Sequence, residues 1–280
     1  MRVSKLSSLE IVRSADRKGT AIGAFNVILL EHAEAIIAGA ESASLPVILQ
    51  ISQNAVKYHG ALEPISLATL ACAAAASVPT SVHLDHAEDT ELIRRALDLG
   101  YDSIMYDGSK LDFAENIKSS KEMAGLAHSY GATIEVELGE IGGKDGVHAP
   151  GIRTNPADAK SFVDETGVDL LAVAVGSSHA MTKRDAQLDF DLIAQIHSVV
   201  SVPLVLHGSS GVSDPDLQSA VRAGMRKINI ATHLNHVFTN AVRTVLTNDS
   251  TLVDPRKYIG TARTEVGSEI TRLLQLLNLE

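Results

Sequence analysis

The sequence contains one cysteine, Cys72, so no disulfide can form within the chain. That residue lies in the run Ala71-Cys-Ala-Ala-Ala-Ala76, which reads as a packed helix, and a buried structural thiol is expected there rather than a reactive one. Nothing in the composition requires an oxidising compartment. No run approaches the ~20 apolar residues of a membrane span. The opening stretch MRVSKLSSLEIVRSADRKG holds no apolar segment of the length a signal peptide or anchor needs, so a cytoplasmic location is expected. Basic blocks are missing and the formal net charge is −10, which argues against nucleic acid as the main partner. That charge says little about a small anion, because a few local donors can hold a phosphate on an acidic protein. Pro/Ser linkers and low-complexity segments are also missing. Residues 1–280 therefore read as one domain, and 45% hydrophobic residues suffice for a large core.

What is present is an alternation. Eight short apolar runs are each followed by a helical pattern: Ala21–Asn26, Pro46–Ser52, Thr80–Asp85, Ser103–Asp107, Thr133–Leu138, Leu170–Val175, Pro203–His207 and Lys227–Ala231. Each is nearly continuous in hydrophobics, as expected of parallel strands covered on both faces. Helix starts are marked by Asp89-Thr90, Asn155-Pro156 and Asp214-Pro215, and helix stops by Gly100, Gly131, Gly167 and Gly224. Eight such units predict an α/β fold, a single closed (β/α)8 barrel of the TIM type. A doubly wound sheet is the alternative, but the glycine-rich first turn it usually carries is absent. One segment breaks the regularity: Gly139 to Thr154, GEIGGKDGVHAPGIRT, has five glycines and no apolar period. A loop of that length after strand five is expected to be a mobile active-site lid.

Active sites in such barrels lie at the carboxyl ends of the strands. Nearly every strand delivers a polar group there: Asn26, Ser52, Asp85-His86, Asp107-Gly-Ser109, Glu137, Gly176-Ser-Ser-His179, His207-Gly-Ser209 and Asn229-Ile-Ala-Thr232. A lone histidine at a strand end is usually a hydrogen-bonded residue. Three on one rim, His86, His179 and His207, beside carboxylates, have the donor set of a catalytic zinc with an open position. Asp85, next to a proposed ligand, is placed to exchange protons with a bound substrate. Its alternative is an outer partner that only orients a histidine. His83 reads as a barrel-interior histidine. Glu135 and Glu137 alternate around Val136 and both point inward, which requires a metal or a lysine such as Lys227 to offset two buried carboxylates. Glu137 is nearer the rim and the better metal neighbour. The segments after strands six, seven and eight place backbone N–H groups and hydroxyls where these barrels commonly bind phosphate. Lys118, Lys121 and Glu122 read as a solvated helix face, and His59, His128, His197, His233 and His236 as surface or helix histidines.

The segments HLDHAED (83–89), MYDGSKLDFAENI (105–117), IEVELGEIGG (134–143), GSSHA (176–180), LVLHGSSG (204–211) and INIAT (228–232) resemble the class II, metal-dependent ketose-bisphosphate aldolases, in the right order over nearly the whole chain. The resemblance implies zinc on His86, His179 and His207, with Glu137 as a nearby or alternative partner. It implies that Asp85 is the acid/base at the C4 hydroxyl. Gly208, Ser209, Asn229 and Thr232 would hold the phosphate of dihydroxyacetone phosphate, with Lys183 assisting and Asn26 and Ser52 close to the substrate. Arg256 matches an arginine that reaches the far phosphate from a neighbouring subunit, which implies a homodimer or homotetramer. Backbone carbonyls around His179 and Gly208 match a monovalent-cation site, for Na+ or K+. Departures are Ala180 where glycine is usual, Ile28-Leu29 after strand one, and Asp145 where the lid acid is usually glutamate. Glu140 is the competitor for that last role.

The expected reaction is reversible aldol cleavage of fructose- or tagatose-bisphosphate to dihydroxyacetone phosphate and glyceraldehyde 3-phosphate. Alternatives are cleavage of another phosphorylated sugar or keto-deoxy acid of the inositol-catabolic type, and a non-catalytic sugar-phosphate-binding barrel. A Schiff-base aldolase would need a lysine at a strand's carboxyl end, and Lys227 stands at the other end.

Overall fold

The structure is a computed structural model and describes residues 6–139, 153–179, 181 and 183–279. Eight parallel strands close into a barrel in sequence order: β1 Ile22–Asn26, β2 Val47–Ser52, β3 Thr80–Ala87, β4 Ser103–Tyr106, β5 Thr133–Leu138, β6 Leu170–Val173, β7 Leu204–Leu206 and β8 Met225–Ile230. The helices among the described residues are α1 Ser8–Lys18, α2 Leu30–Ala43, α3 Gln53–His59, α4 Glu63–Ala75, α5 Thr90–Asp98, α6 Phe113–Ser129, α7 Pro156–Thr166, α8 Phe190–Val199, α9 Asp214–Ala223, α10 Thr232–Asn248 and α11 Pro255–Leu277. This is the (β/α)8 barrel expected from the alternation. No described helix is long and apolar enough to cross a membrane. Most of the segment 139–154, with Glu140 and Asp145, and also Ala180, lies outside the described residues.

Strand periodicity sorts the side chains into two environments. Residues facing outward, such as Phe25, Leu49, Leu84, Val136 and Ile228, join one apolar shell with the inner faces of the surrounding helices. Residues facing inward form a second, smaller cluster: Ile22, Ala24, Ile48, Leu170, Ala172 and Val205. That cluster is closed from below by Ile11, Val12 and Ala15 of α1, a helix the strand-by-strand reading of the sequence does not anticipate. Ser7 caps α1, accepting from the Glu10 N–H while the Glu10 side chain accepts from the Ser7 N–H. Burying Ile11 and Val12 is worth roughly 1.5–3 kcal/mol each. The floor is therefore largely apolar, with Thr133 Oγ1 accepting from the Leu9 N–H of α1 at 3.2 Å.

Helix starts follow the sequence signals. Asp89 caps α5 and Asn155 caps α7, each accepting from two backbone N–H groups, while Ser213 rather than Asp214 caps α9. Strand limits shift by at most two residues. β8 begins two residues early, at Met225, so Lys227 is its third residue and not its first. The polar pair Arg226-Lys227 conceals this start: Arg226 is buried because its guanidinium bonds Val221 O, Met225 O and Asp16 of α1. Cys72 is half-buried on α4, not fully buried as expected.

Candidate active site

Asp85 and His86 are consecutive, so a regular strand would turn them to opposite faces. The β3–β4 register shifts between Leu84 and Ala87, and His86 adopts a left-handed φ of 49°. This irregularity brings both side chains to the barrel mouth. A non-glycine residue held in this region is strained by about 1–3 kcal/mol, which the surrounding contacts must offset. Asp85 is 3% exposed, and its two carboxylate oxygens accept from Asn26 Nδ2 at 3.1 Å and Asn229 Nδ2 at 3.4 Å. Gln50, behind Asn26, donates to its Oδ1 at 2.7 Å.

The loops after β6 and β7 interlock. A Cβ at Gly208, whose φ is 66°, would lie 2.5 Å from Ser178 O, and one at Gly176 would lie 2.1 Å from Gln187 O. Only glycine permits these approaches, and they set His179 beside His207. The ring centroids of His86, His179 and His207 are 4.6 to 5.6 Å apart. One donor atom each from His86, Glu137, His179 and His207 lies within 4.8 Å of the others.

The ring nitrogens can be assigned from their partners. His86 Nδ1 is 2.9 Å from Asp107 Oδ2, and His207 Nε2 is 2.7 Å from Glu135 Oε1. A carboxylate only accepts, so each imidazole turns its N–H to its carboxylate. The remaining nitrogens, His86 Nε2 and His207 Nδ1, then present lone pairs to each other at 2.8 Å. Nitrogens that close share a proton in a hydrogen bond or bind a metal ion in its place. Three imidazoles and a carboxylate are the ligands a divalent ion such as zinc accepts, so the residues fit the metal.

Beneath this cluster Glu135 is fully buried and bridges two layers. Its Oε2 is 2.8 Å from Lys227 Nζ, and Lys227 also donates to Asn229 Oδ1 at 2.8 Å. The lysine thus offsets the deeper of the two inward carboxylates, as the sequence required. His83 is fully buried, with Nδ1 2.7 Å from Ser103 Oγ. Burial, and then the charge of Lys227, hold its imidazole well below the usual histidine range, so it sits there neutral. His83 is a barrel-interior histidine and lies outside the group of His86, Glu137, His179 and His207 that could hold a metal.

Above the cluster opens a cleft. Of the residues the sequence nominates, Asn26, Ser52, Asp85, His86, His179 and His207 line it, together with Gly208, Ser209, Asn229 and Thr232. Glu137 stands at its base, 3.8 Å from His86 Nδ1 and fully buried. Lys183 is exposed after β6 and outside the lining; Arg256 is 88% exposed and paired with Asp254 of its own chain. Gln50, Asn54 and Ser210 also line the cleft and were not nominated. Gln50 was legible from the alternation, two residues before Ser52. Ser210 takes precedence over Ser209 as a hydroxyl donor: Ser209 is 2% exposed and its hydroxyl donates to Leu206 O at 3.1 Å. Ser210 Oγ instead accepts from the His233 N–H at 3.1 Å, which leaves its own proton for the cleft. Ser52 Oγ accepts from the Ala55 N–H as the cap of α3, with the same consequence. The starts of α3, α10 and the 3-10 turn Ser209–Gly211 converge here, and their N-terminal dipoles favour an anion.

A parallel barrel with an imidazole and carboxylate cluster at its carboxyl rim, under an anion-attracting cleft, is the architecture of a metal-dependent barrel enzyme. The family model described as fructose-bisphosphate aldolase class-II matches residues 6–280. A fructose-bisphosphate aldolase of Thermus caldophilus is 36% identical over 97% of both chains. One from Staphylococcus aureus is 37% identical over 92% of both. The crystal structure of the YdjI aldolase from Escherichia coli K12 superposes with a TM-score of 0.86 at 33% identity, covering 98% of this chain and 97% of that one. The chain belongs to the class II fructose-bisphosphate aldolase family. It is a metal-dependent aldolase, a carbon–carbon lyase acting on a phosphorylated sugar.

Proposed function

We propose that this chain reversibly cleaves a ketose 1,6-bisphosphate, of fructose or tagatose configuration, to dihydroxyacetone phosphate and glyceraldehyde 3-phosphate. The observation that carries the reading is the cluster of four donor groups, His86, Glu137, His179 and His207, whose ligand atoms lie within 4.8 Å of one another, with His86 Nε2 facing His207 Nδ1 at 2.8 Å. His86, His179 and His207 would hold zinc, with Glu137 as a nearby partner. When bound, the ion supplies Lewis acidity toward the sugar's carbonyl group.

Asp85 takes the proton of the C4 hydroxyl as the C3–C4 bond breaks, and the aldehyde leaves. Asn26 and Asn229 hold its two oxygens, so the carboxylate is presented in one orientation, which lowers the entropic part of the barrier. The electron pair left at C3 is protonated by Asp145, a carboxylate of the glycine-rich sequence GEIGGKDGVHAPGIRT. The phosphate of dihydroxyacetone phosphate is held by backbone N–H groups at Gly208 and Ser209, the hydroxyls of Ser52, Ser210 and Thr232, and Lys183. The exposed guanidinium of Arg256 serves the far phosphate of a neighbouring subunit's substrate, in a homodimer or homotetramer. Carbonyls around His179 and Gly208 accommodate Na+ or K+, and the enzyme works in the cytoplasm. Lys227 is buried against Glu135 and lies outside the cleft lining, which disfavours a Schiff-base route.

The test is steady-state kcat/KM on a panel of phosphorylated ketoses and keto-deoxy acids. Preference for fructose- or tagatose-bisphosphate by at least tenfold supports the reading. Preference for a keto-deoxy acid phosphate replaces its substrate, and cleavage of none of them overturns it.

A further inference from the structure

α10 begins without a cap of its own. Its N-cap residue is Ala231, which has no side chain able to accept a hydrogen bond. The His233 N–H is satisfied from outside, by Ser210 Oγ. With its oxygen accepting from the helix, the Ser210 hydroxyl keeps its hydrogen available for a ligand in the cleft.

The same His233 is held from the rear. Its Nε2 is 2.6 Å from Glu269 Oε1 of α11. Glu269 receives two bonds from Arg272, at 2.7 and 2.9 Å, and Arg272 reaches Asp214 of α9 at 2.6 Å. Asp214 in turn binds Arg184, whose Nε donates to Val212 O at 2.8 Å. Five charged or titratable side chains therefore run in one chain from the start of α10 to the exit of the serine loop, 208–212. Half-burial raises the Glu269 carboxyl, but the bonds from Arg272 and His233 outweigh it and hold the group down at about 2. Glu269 is thus an anion at any working pH. None of these five residues is on the rim of the cleft, so their contacts are not those of ligand groups.

We propose that Glu269, acting through His233, is a positioning residue for phosphate recognition: it holds the first turn of α10 against Ser210, so that the serine hydroxyl stays aimed at the ligand. The proposal rests on the reading of the cleft as a phosphate site. It explains why the loop is tied at both ends, by Ser210 to α10 and by Val212 to Arg184. Without Glu269 the imidazole of His233 loses its anchor, the helix start shifts from Ser210, and the hydroxyl can turn back to a backbone acceptor.

The experiment titrates inorganic phosphate into the metal-loaded enzyme by calorimetry, alongside kcat and KM for the preferred ketose bisphosphate. Glu269→Gln keeps the side chain's shape. Loss of one aligned hydrogen bond to a charged ligand should weaken phosphate binding and raise KM by about tenfold, with kcat changed by less than about threefold. Ser210→Ala should show the same loss, and the double variant should be no worse than Ser210→Ala alone. A role confined to stability would instead lower the melting temperature and leave phosphate affinity unchanged. His233→Asn gives a second test of the same link should Glu269→Gln fail to fold. Weakened phosphate binding in Ser210→Ala but not in Glu269→Gln or His233→Asn overturns the positioning role and leaves the phosphate site standing. Losses that add in the double variant also overturn it. Unchanged binding in all variants overturns both.

Discussion

Replacing Glu135 by glutamine separates two consequences of one buried carboxylate. Glu135 and Lys227 are both 0% exposed and 2.8 Å apart. Removing one partner of such a pair leaves the other charge without solvent and typically costs about 3–5 kcal/mol. Removing both charges, as in Glu135→Gln with Lys227→Met, avoids that penalty and should return most of the stability, a coupling of about 3 kcal/mol. The metal should behave differently. Glu135 accepts from His207 Nε2 at 2.7 Å and so fixes which nitrogen faces the cluster. Loss of such a carboxylate partner weakens metal affinity by about 10–100-fold, or about 1.4–2.7 kcal/mol, whether or not Lys227 is charged. Urea unfolding in chelator reads the first effect, and competition with a chromophoric chelator reads the second. The expected pattern is stability rescued and metal affinity still impaired in the double variant. Additive destabilisation, or wild-type metal affinity in Glu135→Gln, would refute the assignment of Glu135 as both counter-ion and orienting partner.

Asp85→Asn should lower kcat by roughly 10²–10⁴ with metal content unchanged by elemental analysis; a folded variant that has lost its metal removes Asp85 from proton transfer. Gly208→Ala forces a Cβ to 2.5 Å from Ser178 O at a φ of 66°, so backbone must move where the two histidine loops meet. The variant should be destabilised by roughly 1–3 kcal/mol and bind metal more weakly, and a wild-type urea midpoint with full metal affinity would contradict the close packing described. Burial holds the His32 imidazole down at about 4, so between pH 6.5 and 4 the unfolded chain binds its proton more readily than the native one. Native stability is therefore lost as pH falls through that window, on the order of 3 kcal/mol in all. His32→Asn, whose side-chain oxygen can still accept from the Leu29 N–H as Nδ1 does at 3.0 Å, should flatten the dependence of the urea midpoint on pH, and equal slopes in the two proteins would reject His32 as its source.

The barrel was legible because its signals are local. Each strand announces itself by a continuous apolar run, and each rim residue by its place at the end of one. The lysine that offsets Glu135 was also foreseeable, since two inward carboxylates demand a cation. What escaped depends on distance or on a break in the pattern. The inward-facing Ile11 and Val12 of α1 look like any amphipathic helix until the barrel floor is present to receive them. Nothing in HLDHAED says that His86 takes a left-handed φ, although two adjacent residues assigned to one site imply some irregularity. Ser209 and Ser210 are indistinguishable as letters. Which hydroxyl faces the cleft is decided by Leu206 O and by the His233 N–H, 23 residues further along the chain. Likewise His233 carries only the local signature of a plain helix histidine, because its partner Glu269 is 36 residues away.

The most direct test of the account is metal stoichiometry measured together with cleavage. The protein is stripped with chelator, its metal content is determined by elemental analysis, and release of dihydroxyacetone phosphate from the preferred ketose bisphosphate is followed as zinc is added back. The account predicts an inert stripped protein whose activity returns in proportion to bound zinc and saturates at one ion per chain, with no recovery in a folded His207→Ala variant. Full cleavage by protein with no detectable metal, or undiminished activity in His207→Ala, would contradict it.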